Sequence, residues 1–88
     1  MRFKVELIIT NKEGVRDPEG ETLQRYVAEK FSSKFLSTRV GKYVLFEVEG
    51  SNKDEAVELV KRLASEKRLY NPLVHKIEVR VVGQDGGH

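Results

Sequence analysis

An α+β sandwich of order β-α-β-β-α-β, with an antiparallel four-stranded sheet and both helices on one face, is what this 88-residue sequence predicts. Three observations carry it. Stretches of strict apolar/polar alternation stand near both ends and in the middle of the chain. Two stretches of helical periodicity separate them, each opened by a residue that caps helix N-termini. Both prolines stand at the borders of these segments rather than in their middles.

Residues 3–10, FKVELIIT, place Phe3, Val5, Leu7 and Ile9 on one face of a first strand, with Lys4, Glu6, Ile8 and Thr10 on the other. Two glycines and a proline in NKEGVRDPEG then make a loop. Asp17 before Pro18 reads as an N-cap followed by a first helical residue, since proline lacks the N–H that would be wasted there. Leu23, Tyr26, Val27 and Phe31 recur at helical spacing, and the helix fades at Ser32 and Ser33. FLSTRV and YVLFEVEG flank Gly41-Lys42 and predict a β-hairpin. Asn52, three residues before Glu55, opens a second helix with Ala56, Leu59, Val60 and Leu63 as its apolar positions. Asn71-Pro72 ends that region, and LVHKIEVRVV is a last strand with His75, Ile77, Val79 and Val81 on one face. Two right-handed crossovers side by side give a ferredoxin-like arrangement. One domain spans residues 1–82, and 83–88 form a flexible polar tail.

A chain this short has a thin core, so docking to a copy of itself or to another protein would help it. It has no cysteine, which excludes disulfides and thiolate metal sites. Its 16 basic and 14 acidic residues are interspersed, so the net charge of +2 does not describe a nucleic-acid face. No apolar run reaches the length of a membrane span, and a soluble cytoplasmic protein is expected.

Catalytic chemistry is hard to find. The two histidines, His75 and His88, have no metal-ligand spacing, and neither glycine phosphate-loop pattern occurs. No serine lies in a nucleophile-elbow setting, and the carboxylates alternate on strands or crowd helix starts. No catalytic, cofactor-binding or metal-binding residue is therefore assigned. An RNA-recognition reading fails too, because Tyr43 is the sole aromatic expected on the helix-free sheet face, among several carboxylates. Ile8, Tyr43, Leu45 and Val82 interrupt the polar pattern of that face and are the candidate self-association surface.

Three segments, in order, resemble the PurS family. KEGVRDPEG resembles its K-x-G-V-x-D-P-x-G entry loop, TRVGKY its V-R-x-G-K hairpin, and EKRLYNPLVHKIEV the segment with leucine, asparagine and proline before the last strand. A Leu-Gly pair common at the end of the family's first helix is Phe31-Ser32 here. The resemblance implies a small non-catalytic subunit of phosphoribosylformylglycinamidine (FGAM) synthase in purine biosynthesis. It implies partners, a glutaminase subunit and a large synthetase subunit that uses ATP and Mg²⁺, and a homo-oligomer. Asp17, Pro18, Gly20, Arg39, Gly41, Lys42, Asn71 and Pro72 are the matched positions, expected to dock partners or fix the backbone. A small-molecule-sensing domain of the ACT type shares the same element order and is the alternative.

Overall fold

The computed structural model describes residues 1–85. Strand β1 (Arg2–Asn11) is the middle of an antiparallel sheet of order β2-β1-β3, between β2 (Lys42–Glu49) and β3 (His75–Asp85). The register follows the alternation: Phe3, Val5 and Leu7 lie opposite Val48, Phe46 and Val44 on one side, and Val5, Leu7 and Ile9 opposite Val81, Val79 and Ile77 on the other. One face is thus apolar across all three strands. A second helix (Lys53–Glu66), capped by Asn52 Oδ1 accepting from the Glu55 amide, presses Ala56, Val60 and Ala64 onto it. Phe3, Val5, Leu7 and these three are almost wholly buried.

The α+β class and the antiparallel sheet are as predicted, but the sheet has three strands rather than four. FLSTRV makes no ladder, and the hairpin expected at Gly41-Lys42 does not form. Residues 35–40 belong to no helix or strand and lie beside the first helix, whose residues take up several of their polar groups. Gln24 Nε2 donates to the Phe35 carbonyl, Thr38 Oγ1 donates to Gln24 Oε1, and the Val40 amide donates to Asp17 Oδ2. That helix begins at Pro18–Leu23, widens through a π-helical stretch at Gln24–Ala28 and ends at Glu29–Phe31. Nor do both helices share the sheet: the first packs on neither the strands nor the second helix. Together with residues 35–40 it forms an arm, residues 12–41, projecting past the end of the sheet, and the molecule measures 49 × 28 × 14 Å.

The C-terminal strand is longer than expected. Gly83, Gln84 and Asp85, assigned to the tail, pair with Lys4, Phe3 and Arg2 after a bulge that leaves Val82 unpaired. The start of β1 offers free backbone partners, and those outweigh the glycine. Residues 86–88 of the predicted tail, His88 included, lie outside the described residues.

Candidate functional site: the end of the sheet where three segments meet

Asp17 does more than cap a helix. Its Oδ1 accepts the Gly20 amide at 3.1 Å, while Oδ2 accepts the Val40 amide, 23 residues on, at 2.7 Å. The carboxylate therefore ties both legs of the arm together at their base. The Val40 N–H, then the Gly20 N–H, hold its pKa below the usual carboxylate value, with the Arg39 charge adding to the effect. Gly20 must be glycine here, since a Cβ would collide with Asp17 Oδ2 and stand 2.7 Å from the Thr38 carbonyl oxygen. Pro18 is the first helical residue, as the sequence suggests.

Gly41 has a different role from the predicted turn. A Cβ there would lie 2.5 Å from the Ile9 carbonyl oxygen and 2.7 Å from the Thr10 methyl. The chain enters β2 in close contact with the end of β1, and only glycine fits. Arg39 Nη1 donates to the Asn11 carbonyl at 3.3 Å, and its Nη2 lies 3.5 Å from the exposed Glu13 carboxylate. Lys42 is exposed at the start of β2, opposite Ile9.

Asn71 and Pro72 arrive at the same end from the other side. Asn71 Oδ1 accepts the Leu73 amide, and its carbonyl accepts the amides of Val74 and His75. The Asn71 amide in turn donates to His75 Nδ1 at 3.0 Å, which fixes the ring against the turn. Asn71 and Pro72 line a cleft of about 660 Å³ together with Arg68, Leu69, Tyr70 and His75. A second cleft of about 330 Å³, lined by Asp17, Pro18, Gly41 and Lys42 among others, shares Leu69 and His75 with the first. Segments more than twenty residues apart in sequence thus converge on one surface.

Sequence reasoning missed Arg68 and Leu69. Arg68 sits just past the second helix at φ 54°, a left-handed conformation that usually falls to glycine, and its amide donates to Ser65. No glycine marks that position. The sequence places His75 on the apolar face of the last strand, packed or partly exposed, and only the fold reveals it as the wall common to both clefts.

Of the four self-association candidates, the register puts Ile8, Tyr43 and Leu45 on the helix-free face, and Val82 is the exposed residue of the β3 bulge. Tyr43 and Leu45 are exposed and Ile8 is half-buried. The same face holds a cluster the sequence did not disclose: Glu6, 8% exposed, accepts from the Tyr43 hydroxyl at 2.7 Å and from Arg80 Nε at 2.6 Å. Tyr43, then Arg80, keep the Glu6 pKa low, and donation to Glu6 raises that of Tyr43. Among the described residues no group of three or more His, Cys, Asp or Glu could hold a metal ion, and no helix is long and apolar enough to cross a membrane. The arrangement offers shaped clefts, fixed backbone and charge, which suit binding.

Comparison with known proteins agrees. The PurS family profile, described as phosphoribosylformylglycinamidine (FGAM) synthase, matches residues 4–83. The chain is 41% identical over 78 residues to the phosphoribosylformylglycinamidine synthase subunit PurS of Thermotoga maritima, covering 89% of this chain and 94% of that one. It superposes with a TM-score of 0.81 on a chain of the PurLQS structure from T. maritima, 38% identical, covering 93% and 99% of the two chains. With PurS of Methanocaldococcus jannaschii, described as one of the subunits of formylglycinamide ribonucleotide amidotransferase in the purine biosynthetic pathway, the TM-score is 0.66 at 30% identity, covering 97% and 100%.

Proposed function

The chain belongs to the PurS family, and from that premise we propose that it is the small, non-catalytic subunit of an FGAM synthase, joining a glutaminase subunit to a large ATP-dependent synthetase subunit. The observation that carries this reading is the convergence of its three family-like segments on one end of the sheet. A similar chain within PurLQS supports the complex. Ammonia released from glutamine must reach the synthetase without being protonated or lost to water, which requires closely docked, shielded surfaces. A bridging subunit meets that need with shape and charge alone. In this reading ATP and Mg²⁺ belong to the large subunit, this chain holds neither, the complex works in the cytoplasm, and the chain self-associates.

The test is reconstitution with the two larger subunits. Adding this chain should restore glutamine-dependent synthesis of the amidine and leave ammonia-dependent synthesis by the large subunit unchanged. Equal glutamine-dependent rates with and without the chain would overturn the reading.

A further inference from the structure

The cleft of about 660 Å³ beyond the second helix differs in charge from the surface around it. Arg68, His75, Ser65 and Asn71 line it, and among the described residues no carboxylate does. Its neighbour at the base of the arm holds Asp17 and Glu19 beside Lys42. The contrast extends to the sequence. Residues 65–76 carry Lys67, Arg68 and Lys76 against Glu66 alone, three of the 16 basic residues and one of the 14 acidic ones. The remainder cancel, so the chain's net charge of +2 resides around this cleft.

Folding alone gives Arg68 no reason to be arginine. It holds φ 54° and is the one non-glycine residue with positive φ among those described, a conformation that glycine adopts at lower cost. Helix capping does not need its side chain, because the Leu63, Ala64 and Ser65 carbonyls accept the amides of Lys67, Leu69 and Arg68 itself. Among the described residues the ion pairs use Arg16, Arg39, Lys61, Arg62 and Arg80, and the exposed Arg68 enters none.

The wall opposite Arg68 is built before anything enters. Asn71 Oδ1 accepts the Leu73 amide, its carbonyl accepts the amides of Val74 and His75, and its own amide donates to His75 Nδ1. These bonds leave Asn71 Nδ2 and His75 Nε2 uncommitted, beside the Ser65 hydroxyl and the Arg68 guanidinium. Leu69, Tyr70 and Leu73 supply apolar lining, and Leu73 is 82% exposed.

We propose that this cleft binds a small organic phosphomonoester, its phosphate against Arg68, Asn71 and Ser65 and its organic part against Leu69, Tyr70 and Leu73. A guanidinium fork with neutral donors suits the three terminal oxygens of phosphate. The ester's charge, about −2 at neutral pH, matches the local excess. The cleft has a volume usual for small-molecule sites, and its apolar lining would stay uncovered by a bare ion. This binding goes beyond the bridging role and needs neither larger subunit.

Backbone-amide NMR of the whole chain tests it, with AMP, adenosine and inorganic phosphate as probes. AMP should shift the amides of residues 68–76 saturably at submillimolar concentration, and adenosine should leave them in place. Inorganic phosphate should bind at least about tenfold more weakly than AMP. Arg68→Gly relieves the backbone and removes the guanidinium. Its melting temperature should be no lower than that of the natural chain, and its affinity for AMP should fall at least about tenfold. Lys53→Ala removes a charge at the far end of the second helix and should bind AMP as the natural chain does. Absence of a saturable shift with AMP, an equal response to adenosine, or unchanged AMP affinity in Arg68→Gly would each overturn the proposal. Inorganic phosphate binding as tightly as AMP would overturn it too, reducing the cleft to a bare anion site.

Discussion

The body of this protein and its arm use the same kind of residues to opposite ends. In the body, Phe3, Val5 and Leu7 are interior side chains enclosed by two neighbouring strands and a helix. In the arm, Leu23, Tyr26, Val27 and Phe31 form an apolar stripe at helical spacing, yet they face outward. What holds the arm is mostly polar: Asp17 at its base and Gln24 bonded to both the Phe35 carbonyl and Thr38 midway, joined by one edge-on contact of Phe31 with Phe35, ring centroids 6.2 Å apart. An apolar stripe therefore does not by itself tell whether the rest of the chain will pack against it. Hydrogen bonds fix the arm's shape, and burial fixes the body's stability.

The largest expected effect comes from truncating equivalent phenylalanines in the two regions. Phe3→Ala empties a fully buried site and should cost about 3–5 kcal/mol in denaturant unfolding. Phe31→Ala, measured where the chain is monomeric, should cost within about 0.5 kcal/mol of nothing, as exposed substitutions do. Equal losses in the monomer would mean that the arm folds onto its own sheet, and the contrast between the regions would vanish.

Next is the joint between them. Gly41→Ala drives a methyl into the Ile9 carbonyl and the Thr10 methyl, where backbone must move, and should cost roughly 1–3 kcal/mol. Gly14, at φ 83° on the loop into the arm, has open space around it, so Gly14→Ala should cost only the left-handed penalty, about 1 kcal/mol. Thermal unfolding of the two variants ranks these costs, and the reverse order would place the joint elsewhere.

Acid should loosen both regions through different carboxylates. Asp17 in the arm and Glu6 in the body have folded pKa values below their ordinary 3.8 and 4.5, so each contributes stability above those values and loses it as pH falls through the lowered ones. The melting temperature should stay level down to about pH 5 and decline below about pH 4. Glu6→Gln should flatten that decline. Asp17→Asn should instead strip hydrogen-exchange protection from the Val40 amide while core amides stay protected. A Val40 amide as well protected in Asp17→Asn as in the natural chain would contradict the tether.

How much of this the sequence discloses follows from where each interaction partner lies. β1, the second helix and the inward face of β3 are legible because period and caps are local, and the Asp17-Pro18 helix start is legible for the same reason. The bond from Asp17 to Val40, the Glu6–Tyr43–Arg80 cluster and the wall that His75 gives both clefts need a register that no local pattern supplies. FLSTRV alternates as a strand should, yet its polar groups go to Gln24 and Asp17 instead of to a ladder, which the alternation alone does not disclose. The π-helical turns at Gln24–Ala28 have no proline or glycine to announce them.

The smallest stability effect should accompany a large functional one. Arg39 and Lys42 stand where the arm meets the body, and their charged ends are exposed. Arg39 gains a long bond to the Asn11 carbonyl and a 3.5 Å pairing with an exposed glutamate, contacts that add little in water. Arg39→Glu with Lys42→Glu should therefore shift folding stability by under about 1 kcal/mol. Against partner carboxylates the same change turns attraction into like-charge repulsion and should cost several kcal/mol of assembly. Glutamine-dependent synthesis in the reconstituted three-subunit complex should then fall by most of its value, with the ammonia-dependent reaction of the large subunit intact. Full glutamine-dependent activity at limiting subunit concentration would show that this charge is merely solvated, and that the docking end of the molecule is defined by the clefts around His75 instead.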